Sequence, residues 1–466
     1  MKKSEPPTPT VAQADNAEPP LWQTVLRSNW TIPVALLLLW PLNWLVHDAN
    51  VFDNYTRRII LLIGVSIIAA VSLQLINGTS GQFSLGHAGF MAVGAYLAAY
   101  PMKTHAAAGA NPIGVALFYV GLFLVIAIAA ALLLAIFLLI RISGRIWVHL
   151  PTLLLLLVGI WFLWDISAAA RVREGEPPIY LLWTRGMALL TQLFDAIANR
   201  KINFSMSREA GRPICFLIAL IGGGACASVA GLVVGLPTLR LRGDYLAIAT
   251  LGFAEIIRVV INNSAPLGGA TGLTGIPRLS TFAWIYGGVI VTTIVVWRIV
   301  NSAKGRTLIA VREDEIAAAA VGIDTTRYRV FAFLVGSFFA GVAGGLFAHL
   351  NTYLNPTEFG FLRSVEFVVM VTLGGLGSIS GAIVTAAVLT LLPELLRGFS
   401  EWRMILYSLL LIVMMLVRPQ GLLGSREIWP FGRRRAAAST KRGFSVLPPQ
   451  PPSPTTEPGA PTNAAP

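Results

Sequence analysis

The chain has 466 residues, 55% of them hydrophobic and 12% charged, with a mean hydropathy of +0.70. Soluble globular proteins carry about 25% charged residues, so this composition excludes an ordinary water-soluble domain and points to lipid as the solvent. The net charge of +13 does not mark a nucleic-acid binder: the basic residues sit at the ends of apolar runs, the arrangement by which Lys and Arg orient membrane segments.

Residues 1–27 are polar, rich in Pro and Ala, and without apolar periodicity, so they are expected to be disordered. The membrane domain is expected to run over 28–424. Its first apolar run, TIPVALLLLWPLNWLV (31–46), is followed by no small-residue cleavage site, so it is expected to stay as a span and not to be removed as a signal peptide. Further apolar runs occupy 59–76, 113–140, 147–164, 214–236, 281–297, 330–350 and 404–417. A helix needs roughly 20 apolar residues to cross the hydrocarbon core, so the shorter runs at 87–100 and 365–377 read as half-helices or strongly tilted spans. The expected fold is an all-α polytopic membrane protein of about ten transmembrane helices, within a range of eight to twelve, with broken or re-entrant glycine-rich segments.

Charge interrupts this pattern between 165 and 213, where RVREGEPP and ANRKINFSMSREAGRP flank a weaker apolar stretch. That region reads as a polar insertion outside or at the surface of the membrane. Residues 425–466 are first basic, then Pro-rich, and are expected to form a disordered tail. Basic residues flank the runs at Arg57 and Arg58, Arg240 and Arg242, Lys304 and Arg306, and Arg327 and Arg329. By the charge rule both termini are expected in the cytoplasm. Cys215 and Cys226 lie in one apolar run, too far apart to bridge, and read as small core residues; no metal site is expected.

Three stretches between apolar runs carry glycines and neutral polar residues but no charge: NGTSGQFSLGHAGF (77–90), LGGATGLTGIP (267–277) and TLGGLGSISGA (372–382). Irregular backbone at membrane depth persists only inside protein or beside water, and broken helices of this kind recur at transporter substrate sites. Two readings follow. The polar side chains either line a path or satisfy the backbone groups that the break sets free. Candidates for the path are Asn77, Ser80, Gln82, Ser84, His87, Thr271, Thr274, Ser378 and Ser380. His87 by itself reads as a core histidine, no second ligand lying near it in sequence. The match between SGQFSLGHAGFMAVGAYLA and GGLGSISGAIVTAAVLTLL hints at an internal repeat.

GRTLIAVREDEIAAAAVGIDTTRYR (305–329) differs in character. Glu313, Asp314 and Glu315 suit a helix N-terminus, Gly322 suits its C-terminus, and Asp324 or Thr325 can cap the span that follows. This predicts a short amphipathic helix between two spans. Glu255 and Arg258, three apart in YLAIATLGFAEIIRVVI, are placed to form an internal pair.

These segments resemble a known family. The loop holding Glu315, Ala317, Ala318 and Gly322 is similar to the coupling loop by which permeases of ABC importers dock onto their ATPases. In the order GQFSLGHAGFMAVGAYLAA, GLPTLRLRGDYLAIATLGFAEIIRVVINN, GGATGLTGIP, GRTLIAVREDEIAAAAVGID, TLGGLGSISGAIVTAAV and RPQGLLG, the chain resembles the permease subunits of branched-chain amino acid ABC transporters, the second of the two homologous permeases in particular. The resemblance implies a non-enzymatic transport subunit in a bacterial inner membrane, with a coupling loop of Arg312, Glu313, Glu315, Ala317, Ala318 and Gly322. It implies as partners a second homologous permease, two ABC ATPases, an extracytoplasmic solute-binding protein and membrane lipid, but no nucleic acid. No cofactor is expected on this chain, and ATP would be used by the partner ATPases. No G-x-x-x-x-G-K-[ST] phosphate loop occurs in the sequence. The competing reading is a stand-alone secondary transporter or channel, with His87 or Glu255 as its proton site. An intramembrane enzyme is a remoter third, since GLGSISG does not fit G-x-S-x-G.

Overall fold

The structure is a computed structural model. It describes residues 53–105, most positions in 112–123, 208–399 apart from 240 and 242, and scattered positions up to 427, with Pro41. The expected span at 31–46, the run at 147–164, most of 113–140 and 165–213, and the two terminal segments lie outside the described residues.

Helices account for the described chain, and the one β-bridge joins Leu273 to Leu354. The helix α1 (Asn54–Leu73) passes into a π-helical turn, Gln74–Thr79. Residues 80–86 then run without helix into α2 (His87–His105). Next come α3 (Arg208–Thr238), α4 (Asp244–Asn262), α5 (Phe282–Asn301), α6 (Ala303–Glu313), α7 (Glu315–Ala320), α8 (Thr325–Asn351), α9 (Phe361–Gly374) and α10 (Ile379–Leu395). Runs rich in Val and Ile hold as helices here because in lipid the helix is the one single-segment form that satisfies every backbone group. Among the described residues four helices are long and apolar enough to cross a membrane: α1 with its π turn, α3 from Gly211, α5 and α8. Four such helices in one chain are the architecture of a polytopic membrane protein.

Helix α8 is the central post, packed against α1, α2 and α3. Small residues bring the backbones together, as at close helix crossings in membranes. A Cβ on Gly344 would lie 2.0 Å from the Met91 carbonyl oxygen, and one on Gly94 would lie 2.2 Å from the Gly341 Cα. Gly223 of α3 faces the Gly94 carbonyl in the same way. Buried Tyr119 laces the junction by donating to the carbonyls of Leu97 (2.9 Å) or Ala219 (3.1 Å). Both cysteines are free and buried here.

Two interruptions of the apolar pattern bear on the site. At about 1.5 Å per residue, the 14-residue α9 spans about 21 Å of a core some 30 Å thick. It follows a short connecting segment (352–360), whose 3₁₀ turn Pro356–Phe359 puts Phe359 against Tyr96 and Phe347. The other break is the 80–86 segment.

The basic residues divide between the two ends of the bundle. Lys304, Arg306, Arg327 and Arg329 lie by the short helices α6 and α7, which project between two spans and are termed the lever, at one end of the bundle. Arg57 and Arg58 lie at the opposite end, where Arg58 Nη2 donates to Asn351 Oδ1 at the end of α8 (3.3 Å). Grouping them with the lever-end charges, as the charge rule suggests, is therefore incorrect. They begin a span that runs toward the lever end, and a charge beside an apolar run does not say which end of it faces which side.

The glycine junction sets the first expectation. Gly344→Leu must displace the α2 backbone, so its destabilisation should reach or exceed the roughly 1–3 kcal/mol of an overpacked core. A lowered thermal midpoint in detergent checks this, with Gly287→Leu, where an added Cβ meets nothing within 4 Å, as the tolerated control.

Candidate functional site

The site begins where α1 stops being an α-helix. Gly78 in the π turn allows the chain to touch the turn between α9 and α10: a Cβ there would lie 2.7 Å from the Gly377 backbone nitrogen. Gly375 (φ 108°) and Gly377 (φ 100°) hold that turn in a backbone region that side chains rarely enter. Buried Gln74 Nε2 donates to the Gly375 carbonyl (3.1 Å). The RPQGLLG segment closes the back of the turn. Leu422 N donates to the Leu373 carbonyl (2.7 Å), and a Cβ on Gly421 would meet the Gly375 nitrogen at 2.6 Å.

Into this meeting point reaches Arg312. Its Nη1 donates to the Gly78 carbonyl (2.7 Å), while Nε and Nη2 engage the Glu313 carboxylate (3.1 and 2.5 Å). Its Cγ packs over Gly81, where a Cβ would come within 2.5 Å. The expected short amphipathic helix is α7, and a further helix, α6, precedes it, the two meeting at Asp314. The Asp314 carboxylate caps α7 by accepting from Ile316 N (2.8 Å) and Ala317 N (3.0 Å). Gly322 (φ 85°) ends the turn, and Asp324 caps α8 by accepting from Arg327 N (3.1 Å). Arg329 pairs with Glu315 (2.8 Å), tying α7 to the root of the central post. Ala318 is buried, whereas Glu313, Ala317 and Gly322 are exposed. Ile316 and Val321 stand 73% and 76% exposed, so the lever presents apolar side chains to whatever faces it.

The polar residues of 77–90 divide by role. Asn77 grips the Ser84 backbone, accepting from its N–H (3.1 Å) and offering its amide to the carbonyl (3.5 Å). Ser80 donates to the Ile76 carbonyl (2.7 Å), and Ser84 Oγ accepts from Gly86 N (3.4 Å). These side chains serve the freed backbone. Gln82 is buried, and its amide meets no hydrogen-bonding partner among the described residues. His87 is fully buried, with Nε2 at 2.8 Å from Ser72 Oγ and its ring edge-on to Phe367. Two further hydroxyls complete the segment: Leu85 N donates to Thr250 Oγ1 (3.0 Å) and Ala88 N to Ser364 Oγ (3.3 Å). Sequence reasoning missed both, because single hydroxyls in apolar helices carry no local signal of their target.

The three neutral stretches do not share one place. Ser378, which caps α10 by accepting from Gly381 N (3.0 Å), and Ser380 beside it belong to the junction with 77–90. Thr271 and Thr274 are exposed at the other end of the bundle, where Tyr353 OH donates to the Thr271 carbonyl (3.0 Å). Glu255 and Arg258 pair at 2.6 Å on α4.

A family model described as the permease component of branched-chain amino acid transport systems matches residues 179–417, a little over half of the chain. The chain belongs to this family. The match takes in the lever, the α9–α10 turn and the 267–277 stretch, and begins after 77–90. Among curated proteins, the high-affinity branched-chain amino acid transport system permease protein LivM of Salmonella typhimurium is 36% identical over 235 residues, 43% of this chain and 55% of that protein. LivM of Escherichia coli gives the same identity and coverage. The LivH permease protein of Escherichia coli is 33% identical over 129 residues, 27% of this chain and 42% of LivH. The chain thus spans about half the length of the LivM proteins it matches. No solved structure matches it.

Asn77→Ala should cost about 1–3 kcal/mol, the penalty for leaving the buried Ser84 amide without its acceptor. Ser80→Ala, which removes only a bond to its own helix, should cost less than half as much. Thermal midpoints of the two variants in one detergent check the order.

Proposed function

We propose that this chain is a transmembrane permease subunit of an ABC importer, forming part of the translocation path for branched-chain amino acids or a related small polar solute such as urea or a short amide. Its partners in this reading are a second homologous permease, two ATPase subunits and an extracytoplasmic solute-binding protein, in a bacterial inner membrane with α6 and α7 on the cytoplasmic side. The observation that carries the reading is the lever itself: two short helices between spans α5 and α8, apolar at the exposed tip, with Arg312 seated on the Gly78 carbonyl. Family membership supports it, and so do the LivM and LivH names of its relatives.

ATP acts only through a difference in how it favours two states. A lever pressed by closing ATPases would shift Arg312, and with it the π turn of α1 and the turn after α9, which meet at that side chain. The work of this chain is then conformational, with hydrolysis on the partner subunits.

The test is to purify the tagged full chain gently from its native membrane, identify what accompanies it, and measure ATP-driven uptake in vesicles. A second permease and ATPases should be recovered. Arg312→Gln should leave that assembly intact but lower uptake at least about tenfold, the loss of roughly 1.4 kcal/mol of coupling. Recovery of a partnerless protein that moves solute without ATP would instead make it a stand-alone carrier.

A further inference from the structure

The end of the bundle away from the lever holds a cavity of about 460 Å³, lined by Arg57, Arg58 and Arg278 above Leu61 and Phe282. Three guanidiniums from two separate parts of the chain converge there: two from the first turns of α1, one from the segment leading into α5. Among the described residues none of the three forms an ion pair. Arg58 bonds only the neutral Asn351, and Arg57 Nε is shielded from solvent with no acceptor. Acidic groups also stand at this end, Asp53 just before α1, Glu394, which accepts from the Tyr55 hydroxyl, and Glu358, within the field of Arg58, but among the described residues none forms an ion pair with the three arginines. Concentrated, unpaired positive charge in a concave site calls for an anion.

Two further features sharpen the demand. The N-termini of α1 and α5 both open on the cavity, Asn54 and Phe282 lining it, and neither Asp53 nor Thr281 caps its helix with a side-chain bond. Both helix dipoles therefore add positive potential. The location is also unusual for arginine. If α6 and α7 face the cytoplasm, as proposed above, these arginines lie on the side where Lys and Arg are sparse.

We propose that this cavity binds the phosphate of an anionic phospholipid headgroup in the leaflet away from the lever. Three observations favour lipid over a free anion. Helix α5, which forms one wall, is the least enclosed of the four spans. Tyr55, which lines the site, is 40% exposed, an amphipathic ring of the kind that sits at a membrane interface. Its floor of Leu61, Phe282 and Leu350 is buried and apolar, and suits the glycerol and first methylenes below a headgroup. Which leaflet this is rests on the proposed function; the cavity and its charge do not.

The experiment uses the whole transporter in nanodiscs of mixed phosphatidylglycerol and phosphatidylcholine, followed by extraction and native mass spectrometry of retained lipid. Phosphatidylglycerol should be retained at least about tenfold over its share of the mixture, given an attraction of a few-fold per arginine. The triple variant Arg57→Gln, Arg58→Gln, Arg278→Gln should bring it down to the level of phosphatidylcholine, and the corresponding triple Lys variant should keep most of it. Equal retention of the two lipids by the wild-type protein, or retention unchanged in the Gln variant, would overturn the proposal. Displacement of the signal by excess inorganic phosphate would overturn the lipid assignment and leave a free-anion site. Should the Gln variant not fold, the wild type still decides. Brominated phosphatidylglycerol should quench a fluorescence component that Tyr55→Trp adds at the cavity lining, more strongly than brominated phosphatidylcholine does, and equal quenching refutes the site. None of these readouts requires that the chain transport anything, so failure here is separate from failure of the importer reading.

Discussion

The hydrogen bond from Arg312 to the Gly78 carbonyl, 2.7 Å long, joins what would otherwise be two independent constructions. On one side is a pair of short helices between the spans α5 and α8; on the other, two helix breaks. A guanidinium is suited to this post because it keeps its charge and presents several donors in a fixed plane. One Arg312 nitrogen meets a backbone carbonyl of the π turn while another holds Glu313 on the lever. Remove the side chain and the lever still folds, since Asp314 caps α7 and Glu315 pairs with Arg329. Its hold on the breaks would be lost.

The breaks themselves depend on backbone meeting backbone. Gly78, Gly375, Gly377 and Gly421 come from three distant parts of the sequence, and a Cβ on Gly78 or Gly421 would strike main chain within 2.7 Å. Such contact leaves no slack, so a shift in one segment must be taken up by the others. Interfaces packed this tightly tend to have discrete arrangements instead of bending continuously, which suits a part that must switch. The neighbouring glycine junction of α2, α3 and α8 uses the same close approach to the opposite end, as a rigid frame.

The far end of the bundle has a different electrostatic character. The junction around Ser378 and Asn77 is neutral and satisfied largely by short hydroxyl and amide bonds, whereas the cavity at Arg57 and Arg278 gathers positive charge with few acceptors. Neutral polar groups can change partners at little cost in a low-dielectric interior, while unpaired charges there require a counter-ion. The neutral junction and the charged cavity thus lie at opposite ends of the same helices.

The sequence by itself determined a great deal. The apolar runs at 59–76, 214–236, 281–297 and 330–350 became the spans α1, α3, α5 and α8 with ends shifted by a few residues, because lipid leaves a long apolar segment no other form. Asp314, Gly322 and Asp324 were legible as cap and turn residues for the same local reason. The composition of 77–90 and 372–382 left two readings open, a lined path or a tight connection with its polar groups satisfied internally, and did not decide between them. What only the tertiary structure decided is partnership. It brought these two stretches to Arg312 and sent 267–277 to the other end, gave Thr250 and Ser364 their backbone partners, and placed Arg57 and Arg58 opposite the charges with which the pattern grouped them. Hydrophobicity records how deep a segment sits, and is nearly uniform around each of these helices. Which face meets which neighbour is set by glycine contacts and single hydrogen bonds between residues hundreds of positions apart, and no local pattern encodes those.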